Sequence, residues 1–361
     1  MASPPDPASP PLADQLEAAL SARLGVPAQV LDLAPLAGGA CQESARLDLA
    51  LPGAPRRALV LRGDATSSLP GSLRRAAEFA VVQAAFAAGV QTPEPHWLLP
   101  GLLGPGRDAW IMDRVGGEAL GRRIVHHPRY AAARARLAEQ VAASMAALQR
   151  VSPATSPTLP LPPAGPDGPK GPDPAAHAMR FVREMLEDLP QPRPELELVV
   201  RWLDQHRPPP PPRICLVHGD LRTGNLMVDE NGLVALLDWE FAHWGDPAED
   251  VAWLCVRDWR FGRLDRAAGG WATRATLYQA LERAGAGPVD PVRVHWWEVL
   301  GNLRWAAGSL YQGERFLSGE AHDIELLAIP WRVGEMSWEA LRLVAQGPPS
   351  LLGADRDRSP G

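Results

Sequence analysis

The apolar positions of the chain follow two spacings, and they divide it in two. "LADQLEAALSARLG" (12–25) reads as a helix, and three strand-like runs follow it, "AQVLDLAPLA", "ESARLDLAL" and "RALVLRG". Gly38-Gly39 separates the first two and "PGAPR" the last two, the order of an antiparallel meander. The helix "SLRRAAEFAVVQAAFAAG" and a proline-punctuated link, "VQTPEPHWLLPG", lead to another apolar run, "AWIMDRV", closed by Gly116-Gly117. Residues 12–116 are therefore expected to form an N-terminal lobe, an antiparallel sheet with one main helix.

Residues 117–347 read as a larger, mostly helical lobe. "YAAARARLAEQVAASMAALQR" is a long amphipathic helix, and the proline-rich stretch 153–173 after it has no apolar period and reads as a loop. Two more helices, "AAHAMRFVREMLEDL" and "ELELVVRWLDQH", precede "RPPPPPR". Proline lacks an N–H and clashes with the preceding turn, so this run stops the second helix before the strand "ICLV". After Glu240 the pattern is helical to 347, and ten of the thirteen tryptophans lie between Trp239 and Trp338. Residues 1–11, rich in Pro and Ser, offer little to bury and are expected to be disordered, with 348–361 a flexible tail. The fold class expected is α+β, two lobes with a cleft between them.

Charge and cysteine usage narrow the partners. A net charge of −6 and a pI near 5.9 supply no basic stripe for a phosphate backbone, which argues against nucleic acid. Cys41, Cys215 and Cys255 are too few and scattered for a disulfide framework or a zinc cage. No run approaches the roughly 20 apolar residues of a membrane span, and the N-terminus has no basic or apolar leader pattern. A cytoplasmic protein without a membrane partner is expected. Nearly every positive charge is arginine, since Lys170 is the single lysine, a bias that fits nucleotide composition.

The chemistry concentrates in "LVHGDLRTGNLMVDENGLVALLDWE" (216–240). Asn231-Gly232 between two apolar runs signals a tight hairpin. With Glu230 paired to Leu233, counting back along both strands places Asn225 opposite Asp238, their Cβ atoms roughly 4.5–5.5 Å apart on one face. An amide oxygen beside a carboxylate suits a hard cation such as Mg2+ that also takes substrate phosphates. Asp220, in the loop before Asn225, can face the same centre without touching the metal. That arrangement suits phosphoryl transfer, in which one Asp accepts the proton of the acceptor hydroxyl.

His218-Gly219-Asp220, Asn225 and "LLDWE" thirteen residues on together resemble the aminoglycoside phosphotransferase and choline kinase-like family, and "GDPAEDVAW" resembles its G-D-P-x-x-D segment. The resemblance extends over residues 30–345. It implies a bilobal protein-kinase-like fold, an ATP and Mg2+ requirement, and transfer to a small-molecule hydroxyl, with catalysis by Asp220, Asn225 and Asp238 and metal held by Asn225 and Asp238. His218 and Asp250 would support the loop, while Asp246, Pro247 and Glu249 fit a capping box at a helix start. Arg62 stands where a kinase-like strand carries lysine, with Glu78 as its ion-pair partner. Gly38-Gly39 would tip the loop over the phosphates, although the full G-x-G-x-x-G is missing. Met112 would border the adenine, and the backbone of Asp113, Arg114 and Val115 would bind it.

The acceptor is less constrained. Residues 240–361 hold seventeen acids and thirteen arginines, too mild an excess for a polycation site, and the tryptophans suggest a partly apolar substrate. On "PVRVHWWEVLGNLRWAAGSLYQG", Val292, Trp296, Val299, Leu300, Leu303 and Leu310 make a core stripe, leaving His295, Glu298, Asn302 and Ser309 on the other face. That face reads either as a solvated helix face or as a lining of the cleft, and in the second case His295, Glu298 and Asn302, with Glu240, are the candidate acceptor-binding groups. Two alternatives stand beside the kinase: a nucleotide-binding pseudokinase or scaffold, and a metal-dependent hydrolase using His218, Asp220 and Asp238.

Overall fold

A computed structural model of the chain describes residues 10–36, 43–65, 69–162, 167–168, 171–321 and 323–348. The expectations for residues 1–9, for Gly38-Gly39 and for the tail from 349 lie outside the described residues. Helix α1 (Leu12–Leu24) leads into β1 (Gln29–Pro35), β2 (Glu43–Ala50) and β3 (Arg57–Gly63), and helix α2 (Arg75–Ala87), β4 (Pro95–Leu99) and β5 (Ala109–Asp113) follow. The strands form one antiparallel sheet in the order β1-β2-β3-β5-β4. The first three are the meander read from the sequence. Strand β4 is an addition, because it lies inside the expected link. Its Pro95 takes the first position of an edge strand, where a missing N–H breaks no ladder bond.

Period-2 alternation gives the sheet two chemically different faces. Leu59 and Leu61 of β3, with Ala109 and Ile111 of β5, pack against Leu16 and Leu20 of α1. Each such leucine contributes roughly 1.5–3 kcal/mol on burial. The intervening Val60, Arg62, Trp110 and Met112 face the other way, into a cavity that α2 helps to wall. Burial of one face thereby fixes where Arg62 points.

The remainder is mostly helical, as expected. Helices α3 (Gly121–His126) and α4 (Ala131–Leu148) come first, and inside the proline-rich loop a short ladder joins β6 (Asp167–Gly168) to β7 (Gly171–Pro172). After α5 (Pro174–Glu187) and α6 (Pro194–Gln205), β8 (Cys215–Val217) enters the core and the hairpin β9 (Leu226–Asp229) and β10 (Gly232–Leu236) follows. A short strand, β11 (His243–Gly245), returns to pair with β8. Helices α7 (Pro247–Cys255), α8 (Arg274–Arg283), α9 (Pro291–Leu317), α10 (Glu325–Ala328) and α11 (Val333–Gln346) complete the chain. Helix α9 is the axle, touching α5, α6, α7, α10 and α11. No helix among the described residues is long and apolar enough to cross a membrane.

The hairpin register differs from the expected one. Gly232 pairs with Asp229 and Leu233 with Val228, and a bulge then leads to Ala235 opposite Met227. The Asp229 carboxylate causes the shift by accepting the N–H groups of Asn231 (2.7 Å) and Gly232 (3.1 Å), which pulls the turn one residue toward the N-terminus. Asn225 consequently bonds across to Leu237, whose N–H donates to its carbonyl at 2.9 Å, and is not directly opposite Asp238.

Candidate active site

The loop between β8 and β9 is held from below. Gly219 has φ +76°, and a Cβ there would lie 2.1 Å from the Phe241 carbonyl oxygen, so only glycine fits. Asp250, on α7, accepts the N–H groups of His218 (2.7 Å) and Gly219 (3.0 Å). Burial pushes its carboxyl above the usual carboxylate range, with His218 and these bonds pulling the other way. The His218 ring is fully buried against Trp239, centroids 4.5 Å apart. Its Nδ1 accepts the Asp220 N–H at 3.3 Å, so its proton sits on Nε2, 3.0 Å from the Leu237 carbonyl. Both ring nitrogens are engaged in holding the loop.

Asp220 stands at the head of this scaffold. Its Oδ1 accepts Trp253 Nε1–H at 2.8 Å, its Oδ2 accepts Asn225 Nδ2–H at 2.7 Å, and Arg222 Nε–H reaches both oxygens at 3.2 and 3.1 Å. Asn225 Nδ2 also donates to the Asp220 carbonyl at 2.9 Å. With the amide nitrogen committed there, Asn225 is left with Oδ1 to offer a ligand. The sequence reading missed Arg222, although its place two residues after Asp220 was a usable signal.

Asp238 follows the end of β10 with φ +67°, a left-handed conformation that costs a non-glycine residue on the order of 1 kcal/mol or more. Its Oδ1 accepts Arg62 Nη2 at 3.1 Å, and the same nitrogen donates to Glu78 Oε1 at 2.8 Å. The expected Arg62–Glu78 pair is therefore present, and it reaches the Asp238 carboxylate. Glu78 Oε2 also accepts Trp110 Nε1–H at 3.0 Å and pairs with Arg75. Arg75 in turn approaches Glu240 at 3.5 Å. It too was overlooked, though its i,i+3 spacing to Glu78 was legible. Burial opposes the charge on Arg62, yet Glu78 and Asp238 hold its pKa above the ordinary range. Glu240, buried beside Asp238, is pushed up to about 7, first by desolvation and then by that neighbouring charge.

These groups line one cavity of about 980 Å³ between sheet and helices. Val60, Val82, Thr92 and Met112 make an apolar recess on the sheet side. The N–H of Asp113 donates to Glu94 O and that of Arg114 to Ala58 O, both at 3.0 Å, so these two donors are already used where Asp113, Arg114 and Val115 line the cavity. The Asp113 carboxylate is engaged by His96 at 2.7 Å and Arg57 at 3.4 Å. Glu94, His96 and Asp113 have metal-ligand spacing, but the Arg57 guanidinium already sits on that cluster. The opposite wall carries Phe241, Trp253, Trp259, Arg304, Trp305 and Tyr311.

Three of the expected acceptor groups lie elsewhere. His295, Glu298 and Asn302 are buried inside the helical half and do not line the cavity. Glu298 is bound by Arg260 at 3.0 Å and Arg274 at 2.6 Å, and Asn302 donates to the Glu298 carbonyl at 2.9 Å. The cavity face of α9 is instead Arg304, Trp305, Gly308, Tyr311 and Gln312. Of the four candidates, Glu240 alone is at the cavity. The cap expected on α7 forms through Asp246 and Pro247. Glu249 does not complete the box, and pairs with His243 (3.1 Å) and Arg304 (3.4 Å).

Asn225 and Asp238 both line the cavity that holds the recess, and an amide oxygen with a carboxylate is a donor chemistry that fits Mg2+ better than a soft metal. Comparison with known proteins gives the family and the fold. A family model described as "Phosphotransferase enzyme family" matches residues 32–296. The chain is 42% identical over 65 residues to acyl-CoA dehydrogenase family member 10 of Mus musculus, covering 18% of this chain and 6% of that protein. It is 35% identical over 82 residues to the thiamine kinase of Shigella boydii serotype 4 (strain Sb227), covering 23% and 29%. The chain thus spans well under two thirds of the curated relatives it matches. Among solved structures, a Ralstonia eutropha JMP134 protein named for the aminoglycoside phosphotransferases has the same fold at 21% identity and a TM-score of 0.69, covering 93% of this chain and 99% of that one. A thermostable mutant of aminoglycoside phosphotransferase APH(4)-Ia, in ternary complex with AMP-PNP and hygromycin B, matches in fold at 19% identity and a TM-score of 0.55, covering 94% and 100%.

Proposed function

The chain belongs to the phosphotransferase enzyme family, and from that premise we propose that it transfers the γ-phosphoryl group of ATP to a hydroxyl of a small molecule. The observation that carries this reading is the convergence of Asp220, Asn225, Asp238 and the Arg62–Glu78 pair on one cavity with an apolar recess beside them. We place the lobe boundary at residues 116/117, with the nucleotide between the sheet face and the hairpin.

In this reading Asp220 takes the proton of the acceptor hydroxyl, held in line by Trp253, Asn225 and Arg222. Asn225 and Asp238 would hold Mg2+, which when bound supplies charge neutralisation at the phosphates. Arg62 is braced by Glu78 and aims its fork at phosphate oxygens. AMP-PNP in the APH(4)-Ia complex supports a nucleoside triphosphate as donor. The test is a mass-spectrometric screen of cell extract with Mg-ATP for a metabolite gaining one phosphoryl group, run beside Asp220→Asn. That variant should lower kcat by roughly 10²–10⁴-fold with Mg-ATP affinity little changed. A protein that binds Mg-ATP and phosphorylates nothing would overturn the reading in favour of a nucleotide-binding scaffold.

A further inference from the structure

The wall opposite the nucleotide recess has a charge pattern of its own. Trp253, Trp259 and Trp305 come from α7, the turn after it and α9, with successive ring centroids 5.6 and 5.0 Å apart. Trp253 donates to Asp220 through Nε1, so the aromatic surface begins at the proposed base. Arg304 lies over the Trp253 ring at 5.0 Å and over Phe241 at 5.8 Å, and Arg222 lies over Trp259 at 5.0 Å. Among the described lining residues that α5, α7, α9 and the 257–260 turn contribute, there is no carboxylate.

From this arrangement, and resting on the kinase reading above, we infer that the acceptor is an apolar hydroxy-acid: an acyl or aryl body on the tryptophan wall, its hydroxyl at Asp220 and its anionic group at Arg304. Aromatic faces attract cations, and three tryptophans would otherwise suit an ammonium. Here guanidinium groups already cover Trp253 and Trp259; Arg222 is paired with Asp220, so the like charge a cationic acceptor would meet on this wall, and the attraction an anion would meet, come from Arg304. Arg304 retains capacity for that anion. Its acidic neighbour, Glu249, is 3.4 Å away and shared with His243 at 3.1 Å. One indole separates Arg304 from Asp220, which sets the reach from anion to hydroxyl. In the transfer, the acceptor oxygen bonds to the γ-phosphorus, the bond from that phosphorus to the β,γ-bridging oxygen breaks with its electron pair leaving on ADP, and the hydroxyl proton passes to Asp220. The acid group is unchanged.

The test uses two matched acceptor series with the full chain and Mg-ATP: para-(hydroxymethyl)benzoate, its methyl ester and para-(aminomethyl)benzyl alcohol; and 6-hydroxyhexanoate, its methyl ester and 6-aminohexan-1-ol. The acid should exceed its ester in kcat/KM by roughly 10- to 100-fold in at least one series, with the amine slowest, as loss of one charge-assisted contact predicts. Arg304→Gln should raise KM for the acid by a similar factor, move kcat little and erase the preference over the ester. Arg304→Lys should restore much of the preference. Equal rates for acid and ester, a preference for the amine, or an Arg304→Gln loss shared equally by acid and ester would overturn the inference. If neither series reacts, the product of the extract screen decides: an apolar anion supports the inference, and a cation or neutral polyol overturns it while leaving the kinase reading intact. Absence of any phosphorylated product overturns both.

Discussion

The protein contains two buried clusters of the same composition, each a glutamate held by two arginines. In one, Glu78 binds Arg62 and Arg75, and in the other Glu298 binds Arg260 and Arg274. Both glutamates are almost completely buried, at 1% and 0% exposure. The first opens onto the cavity, because Arg62 extends to Asp238 and Arg75 toward Glu240. The second is sealed: Arg260 is fully buried, donates to the Cys255 carbonyl at 3.0 and 2.8 Å as well as to Glu298, and has the buried Glu339 4.0 Å away. Pairing alone therefore does not mark a functional arginine. What distinguishes Arg62 is a carboxylate partner that belongs to the site.

The sharpest way to break this contrast is to remove the sealed glutamate. Glu298→Ala would leave two buried guanidinium groups without their main counter-charge, and stability should fall by about 3–5 kcal/mol in denaturant unfolding. Activity per folded molecule should not change. Loss of kcat/KM in a variant of normal stability would place Glu298 in the site after all. Next in size is a pH effect on the same helix. Burial and then Arg274 push His295 down to about 4. Its neutral form is the one the fold accepts, so its contribution is complete above the unfolded value of about 6.5 and is lost as pH falls from there toward 4. That loss amounts to up to about 3 kcal/mol. His295→Gln should flatten the unfolding free energy over that window, and an unchanged slope would remove His295 as its cause.

The same pair of clusters shows what the sequence made legible. Arg62 and Glu78 could be matched because the kinase-like resemblance names a cation on that strand and an acid on the helix after it, and the pair forms at 2.8 Å. Glu298 could not be placed, because α9 is buried for most of its length and the 3.6-residue period then has no solvent face to orient it. The acceptor wall is harder still, since its tryptophans come from separate elements that only tertiary packing joins. The hairpin register failed for a local reason. Asn231-Gly232 is a strong turn signal, but Asp229 competes for the same two N–H groups and wins. Strand β4 was hidden by prolines that an edge strand tolerates and a central one does not. Gly219 and Asp250, by contrast, are legible as a unit through the resemblance, since both belong to short motifs of the family it names and it implies that Asp250 supports the loop.

The smallest expected effect is the most informative about the open cluster. Arg62→Ala removes a charge proposed to reach the phosphates, and should raise KM for ATP and lower kcat, together roughly 10- to 100-fold in kcat/KM. It also releases Glu78, which keeps Arg75 and Trp110 as partners, so the stability loss should be smaller than for Glu298→Ala. Arg62→Lys restores the charge without the fork. One ammonium cannot serve Glu78 and Asp238 from a single planar group as Arg62 Nη2 does, at 2.8 and 3.1 Å. Lysine should therefore recover most of the kcat/KM lost in the alanine variant and leave a deficit below about 10-fold. The order wild type, lysine, alanine is the measurement. If alanine equals wild type in both KM and kcat, with an unchanged Tm, Arg62 serves only to neutralise Asp238 and Glu78, and the two clusters would differ in position but not in role.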